Sequence, residues 1–303
     1  MEFSTIIGEY RNGNYNVKIY SDGTKVRENN LDNLVPSFAE NCDVCITKKC
    51  DGGCSWCYEG CTPDGKHADL MNAKFIQTLH PYTELAINGN DLSHPDLIPF
   101  LKKLKEKKII ANMTVMQQHF EEHYNFIKAL IDTKLIYGIG VSLKNPTDDF
   151  IHLVQNIPNV VIHIINGIFT EDDYNKLKDN ALKVLILGYK NLRRGVGYFE
   201  SHSDEIEKNQ RWLYDNLDEI TNHFYVVSFD NLAINQLNVK RLLTDEQWDE
   251  FYMGDDSQYT FYIDMVEGMF AKNSISMERY PIMDNIDDMF AFVRRKAYEE
   301  NNG

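Results

Sequence analysis

From residue 42 onward the chain switches repeatedly between two hydrophobic periods. Apolar runs of strand length recur at Cys42 to Thr47, Glu84 to Asn88, Ile109 to Val115, Tyr137 to Leu143, Val160 to Ile165, Val184 to Leu187 and Tyr225 to Phe229. Between them, apolar residues three and four apart predict helices over Ala68 to Leu79, Pro95 to about Lys107, Gln118 to Ile131, Asp148 to Gln155 and Ser203 to Ile220. Another helix is opened by the capping pattern Thr170-Glu171-Asp172-Asp173. Strands alternating with helices at this spacing imply right-handed βαβ units around a parallel sheet. Seven strands is about one short of a closed (β/α)8 barrel. The expected fold class is therefore α/β, a partial TIM-like barrel with parallel strands, although a doubly wound sheet has the same pattern.

The flanks read differently. Over residues 5–27, Tyr15, Val17 and Ile19 alternate with polar neighbours and Asp22-Gly23 marks a turn, which predicts a β-hairpin. After residue 230 the βα rhythm stops. A capping box, Thr244 to Gln247, opens a helix to Tyr252. Tyr259 to Met265 and Gly268 to Ala271 then alternate as a hairpin, and a last helix runs from Ile286 to Tyr298. The expected organisation is an N-terminal hairpin lead-in at 1–40, the barrel at 41–230 and a small α+β accessory region at 231–303.

All six cysteines fall in one short segment, Cys42 to Cys61. Cys50, Cys54 and Cys57 sit at x3 then x2 spacing, and Gly52-Gly53 lets the backbone turn tightly between the first two. Thiolates bind soft metals, either zinc or iron–sulfur clusters. A closed structural site takes four protein ligands, whereas a site that does chemistry leaves one position open. Three ligands suggest a cluster with one iron free. A zinc knuckle drawn from Cys42, Cys45 and two later cysteines is the alternative; a disulfide framework fits poorly with a long chain lacking an export signal.

Trp56 completes the pattern Cys-x3-Cys-x-aromatic-Cys, and here the chain resembles the radical S-adenosylmethionine (radical SAM) superfamily. The resemblance implies a [4Fe–4S] cluster on Cys50, Cys54 and Cys57, with S-adenosylmethionine on the fourth iron and Trp56 near the adenine. It also implies the partial barrel, and a reduced cluster that cleaves the cofactor to methionine and a 5′-deoxyadenosyl radical. The segment Asn88-Gly89-Asn90-Asp91 resembles the family's Gly-Gly-Glu stretch, which binds the methionine amino group, but with Asn88 for a glycine and Asn90 for the acid. By the same resemblance Ser142 lies near the ribose, Lys144 meets the methionine carboxylate, and the run Val160 to Gly167, with Asn166, borders the adenine. Cys61 is either a thiol hydrogen-atom donor or a small buried residue. Residues 231–303 resemble the C-terminal extensions of peptide-modifying members, but with no cysteine beyond Cys61 they supply no ligands for a second cluster.

Polar groups follow the apolar runs at Asn88 to Asp91, Ser142 to Lys144, Asn166-Gly167, Tyr189-Lys190 and Asp230-Asn231. In parallel α/β folds such strand ends carry the chemistry. His119 to His123 matches a zinc-peptidase pattern, but the apolar stripe of its helix passes beside both histidines and the sequence offers no third ligand.

Composition narrows the partners. The formal net charge of −15 disfavours nucleic acid, whose binding needs clustered Lys and Arg. No apolar run reaches membrane-spanning length and Met1-Glu2-Phe3-Ser4 has no basic n-region, so a cytoplasmic location with reduced cysteines is expected. A flavodoxin or ferredoxin electron donor is implied. The two flanks suggest a peptide substrate adding as an edge strand; a nucleotide-derived small molecule, or a non-catalytic zinc-binding module, are the alternatives.

Overall fold

The computed structural model describes residues 4–31 and 33–302. The Met1-Glu2-Phe3 segment, used above in judging export, lies outside them. Among the described residues no helix is long and apolar enough to cross a membrane.

The N-terminal hairpin has a third strand: β1 (Ile6–Asn12), β2 (Tyr15–Tyr20) and β3 (Lys25–Glu28) form an antiparallel meander. The main sheet contains β4 (Asn41–Cys45), β5 (Glu84–Asn90), β6 (Ile110–Met116), β7 (Gly138–Ser142), β8 (Val160–Ile165), β9 (Lys183–Leu187) and β10 (Val226–Phe229). It then takes β11 (Thr260–Asp264), β12 (Met269–Ala271) and β13 (Tyr280–Pro281). Their order is β10-β9-β8-β7-β6-β5-β4-β11-β12-β13.

The seven strands expected between Cys42 and Phe229 are all present and parallel. The eighth comes from the C-terminal region, where β11 pairs in parallel with β4, Phe261 opposite Cys42. The expected 259–271 hairpin is thus continuous with the main sheet, since β12 runs antiparallel to β11. Among the described residues β10 and β11 do not pair, so the sheet does not close. Side chains bridge the opening instead. Asn231, just after β10, donates from Nδ2 to Asp256 Oδ1 at 2.8 Å, just before β11. The two ends of the parallel run therefore approach one another, and the sheet is a curled α/β layer with a side-chain seam.

Alternation gives each strand two different faces. Val44, Leu85, Ile87, Met113, Ile139, Val141, Ile162 and Ile186 point into one apolar core with Phe100, Phe120, Phe150, Leu213 and Phe290 from the flanking helices. The other face is concave and carries Asp43, Asn112, Thr114, Gly140, Ser142 and His163. The N-terminal meander covers the amino-terminal end of the strands, with Tyr15, Val17 and Ile19 packed on Ile110 and Tyr259. The carboxyl-terminal end is left to the cysteine loop.

Three helices differ from expectation. Ala68 to Leu79 contains only a 3-10 turn, Lys74–Thr78, because Asp69 accepts from the Asn72 amide (3.2 Å) and offers a local alternative to the helix. The Gln118 to Ile131 helix is two, Gln117–Glu122 and Tyr124–Asp132, broken at His123. The Ser203 helix begins earlier, at Arg194, and is kinked at His202, where Ser201 Oγ donates back to Gly197 O at 2.7 Å.

Candidate functional site

The cysteine loop leaves β4 at the carboxyl-terminal end of the sheet and returns on itself. Thr47 bridges His67, Lys49 bridges Thr62, and Cys50 N donates to Thr62 O at 2.9 Å. Gly53 and Gly60 hold left-handed φ values of 64° and 68°, where a side chain is disfavoured. Within this loop Cys50 and Cys61 are buried, and Cys54 and Cys57 are half-buried. All four belong to one small cluster with Met116, the last residue of β6. Met116 Sδ lies 3.9 Å from Cys50 Sγ and 3.6 Å from Cys54 Sγ. Gly52 makes room for this: a Cβ there would stand 1.8 Å from Met116 Sδ.

Four separate elements clamp the loop. From β5, Asn90 Nδ2 donates to Thr47 O (3.0 Å) and Lys49 O (3.3 Å) and lies 3.4 Å from Cys61 Sγ. From the helix after β6, His119 Nε2 lies 2.8 Å from Asp51 Oδ1. From the loop after β9, Arg193 Nη1 donates to Tyr58 O (3.2 Å) and Glu59 O (3.1 Å). From β11, the fully buried Asp264 pairs with Lys48 at 3.0 Å, and Lys48 also pairs with Glu59. Of these, Asp51, Lys48, Glu59, Arg193 and Asp264 were not foreseen as site residues. The one sequence signal was the Arg193-Arg194 pair next to a strand end.

The thiols differ in their surroundings. Burial raises Cys50 and Cys54, while the Lys144 and Arg194 charges pull Cys54 the other way. Cys61 donates to the Cys57 sulfur, which lowers Cys57 and raises Cys61. The set of three spaced thiols is therefore mixed, with Cys57 alone shifted toward the thiolate. It does not fit a single tetrahedral ion, whose 2.3 Å bonds hold sulfurs about 3.8 Å apart. Among the described residues, three ligand atoms come within 4.8 Å of one another in two places, and neither includes Cys50, Cys54 or Cys57. One place is Cys45, Glu59 and Asp264, where Lys48 already supplies the positive charge. The other is His119, Glu122 and His123, where Gln118 donates to Glu122 and Asp51 faces His119. A polynuclear cluster, with one thiolate per iron, holds its cysteines wider apart. The zinc knuckle through Cys42 and Cys45 does not form: Cys42 points into the apolar core, and Cys45, three residues on, faces the opposite side of β4.

The remaining sequence-derived residues lie around the same rim. Asn88 accepts from Ile46 N (2.7 Å) and donates to Thr47 O (3.0 Å), so its amide ties β5 to the loop. Gly89 sits in a bulge of β5, and a Cβ there would be 2.6 Å from Met113 Cε. Ser142 is in register with Met116. Lys144 is exposed, and its amide donates to Gln117 Oε1 at 2.9 Å. Trp56 packs edge-on against Tyr198 at 5.5 Å. Asn166 is buried; its Nδ2 donates to Gln236 Oε1 at 3.0 Å, and its Oδ1 has no donor among the described residues.

No protein-family model and no curated protein matches the chain by sequence. Two solved structures are similar in fold. The crystal structure of Streptococcus suis SuiB bound to S-adenosylmethionine aligns at TM-score 0.52 with 14% identity, over 82% of this chain and 64% of that one. The crystal structure of Streptococcus suis SuiB aligns at 0.50 with 14% identity, over 78% and 60%. The chain thus spans less than two thirds of the length of these structures, and the shared feature is the α/β fold.

Proposed function

We propose that the chain is a radical SAM enzyme, with a [4Fe–4S] cluster on Cys50, Cys54 and Cys57 and a peptide as substrate. The observation that carries this reading is the clustering of the three cysteines with Met116 at the carboxyl-terminal mouth of a curled parallel sheet. The fold likeness to a structure bound to S-adenosylmethionine supports the cofactor. When bound, the cluster supplies one electron, drawn from a flavodoxin or ferredoxin, for reductive cleavage of S-adenosylmethionine and hydrogen abstraction from the substrate.

This chain's own residues bind, orient and shield. Arg194 and Lys144 offset the negative charge of the thiolates. Asn166 Oδ1, a buried acceptor without a donor, suits an exocyclic amine such as adenine carries. Asn90 Oδ1 has no donor among the described residues and suits the methionine ammonium. Trp56 and Tyr198 exclude water on the side of the kinked helix. A peptide pairing with the N-terminal meander would lie at the wrong end of the strands, so the concave face is the better place for the substrate.

The test is anaerobic reconstitution of the full chain with iron and sulfide. About four irons per chain are expected by the cluster type, with 5′-deoxyadenosine formed from S-adenosylmethionine under dithionite. Stoichiometric zinc without iron absorbance overturns the reading.

A further inference from the structure

The concave face below the cysteine loop carries polar side chains that the protein leaves unpaired. Asp43, Asn112, Thr114, Ser142 and His163 lie on central strands, yet none has a side-chain hydrogen-bond or ion-pair partner among the described residues. Four of them are half-buried and Asp43 is exposed, so their polar atoms face the space that the curled sheet encloses. Small residues make room for these side chains: Ala86 is in register with Asp43, and Gly138 and Gly140 with Asn112 and Thr114. The imidazole of His163 lies over Gly140, where a Cβ would stand 2.3 Å from its Nε2, and Asn112 Oδ1 leans over Gly138 in the same way at 3.2 Å.

Charge on this face is uneven. Lys190 is already engaged, donating to Ser274 Oγ at 3.1 Å with its ammonium 4.1 Å from the centre of the Tyr58 ring. Asp256 is held by Asn231 and Asn273, and Asp230 caps the helix after β10. Asp43 alone of these acids is uncommitted. Its side chain is exposed to solvent while protein surrounds it, the signature of a carboxylate inside a concavity.

We propose that this face receives a substrate with a cationic side chain, ammonium or guanidinium, whose charge pairs with Asp43 while Asn112, Thr114 and His163 take neighbouring amide groups. The inference rests on the reading of the concave face as the substrate site. Burial and the Asp256 and Asp230 charges raise Asp43 to about 6 against the pull of Lys190, with Tyr58 and Tyr262 the other titratable groups beside it. His163 is pushed down to about 4 by burial and Lys190, so it is a neutral donor–acceptor at pH 7. Cation binding favours ionised Asp43, so affinity falls as pH drops through 6.

The experiment uses the iron-free full chain and three probes, the N-acetyl methylamides of lysine, norleucine and glutamate, in calorimetric titrations at pH 7.5 and 5. The lysine probe is expected to bind about ten- to a hundred-fold tighter than norleucine, the range for a hydrogen bond to a charged group. The preference should vanish in Asp43→Asn and Asp43→Ser and shrink at pH 5, with melting temperatures unchanged or higher. Equal binding of lysine and norleucine, a preference for glutamate, or a lysine preference that survives Asp43→Asn overturns the proposal. Because no cluster is needed, lysine selectivity without iron loading would sink the proposed enzyme function alone, and iron loading without lysine selectivity would sink this inference alone.

Discussion

Asn90 stands at a left-handed φ of 48° and donates its side-chain amide to Thr47 O, joining the end of β5 to the root of the cysteine loop. By the resemblance to the radical SAM motif, an acid is expected at this position. In the structure its nitrogen is the group facing the loop, and a carboxylate there would meet the Thr47 and Lys49 carbonyls instead of donating to them. Asn90→Asp should therefore lose about 1–3 kcal/mol of stability, the cost of taking a donor from the Lys49 carbonyl and setting a carboxylate against it, while Asn88 still serves Thr47 O. Asn90→Ala should lose about 1 kcal/mol and weaken S-adenosylmethionine binding by roughly ten-fold or more. Denaturant unfolding beside an anaerobic binding titration measures both, and an Asn90→Asp protein as stable as the parent contradicts the placement.

Gly52 and Met116 are a steric pair. Gly52→Ala should displace Met116 from the cysteines and reduce iron loading, and the second change Met116→Ala should restore it by freeing the space. If Gly52→Ala loads iron normally, Met116 does not bear on the cysteine geometry.

The six cysteines should divide by position. Cys50→Ala, Cys54→Ala and Cys57→Ala should abolish iron binding. Cys42→Ala, in the apolar core, and Cys45→Ala, bonded to Asn88, should keep it. Cys61→Ala should keep iron too and raise the pKa of Cys57, since it removes the donated hydrogen bond. Iron and sulfide content with thiol alkylation profiles reads all six.

Glu40 governs acid stability. It is fully buried at the start of β4, with Arg27 at 2.9 Å, Lys25 at 3.3 Å and Tyr15 OH at 2.5 Å. Burial alone would raise its carboxyl, but the Lys25 and Arg27 charges and the hydrogen bonds win and hold it below 4.5. A depressed carboxylate contributes its full stability above the unfolded value and loses it as pH falls through the folded one. Stability should therefore drop as pH goes below 4.5. Glu40→Gln should cost about 3–5 kcal/mol at pH 7 by leaving Arg27 without its carboxylate, Lys25 keeping Glu84, and it should flatten this acid limb. Denaturation midpoints between pH 3 and 7 report it; a Glu40→Gln curve parallel to the parent's contradicts the assignment.

The sequence by itself determined the local features. Strand and helix periods depend on neighbours a few residues apart, so seven parallel strands and the capping boxes at Thr170 and Thr244 could be read directly. The Cys50-Cys54-Cys57 spacing, with Gly52 and Gly53 inside it, is equally local. Where side chains bonded back to the backbone, at Asp69 and Ser201, the helical period misled, because those bonds compete with the helix without altering its hydrophobic pattern. Only the tertiary structure decided that β11, distant in sequence, pairs with β4, since its apolar alternation suits a hairpin and a parallel neighbour alike. The same holds for the clamps on the loop. Lys48 with Asp264, Asp51 with His119 and Arg193 with the Glu59 carbonyl join positions with no sequence period between them, and the curl of the sheet alone brings them together.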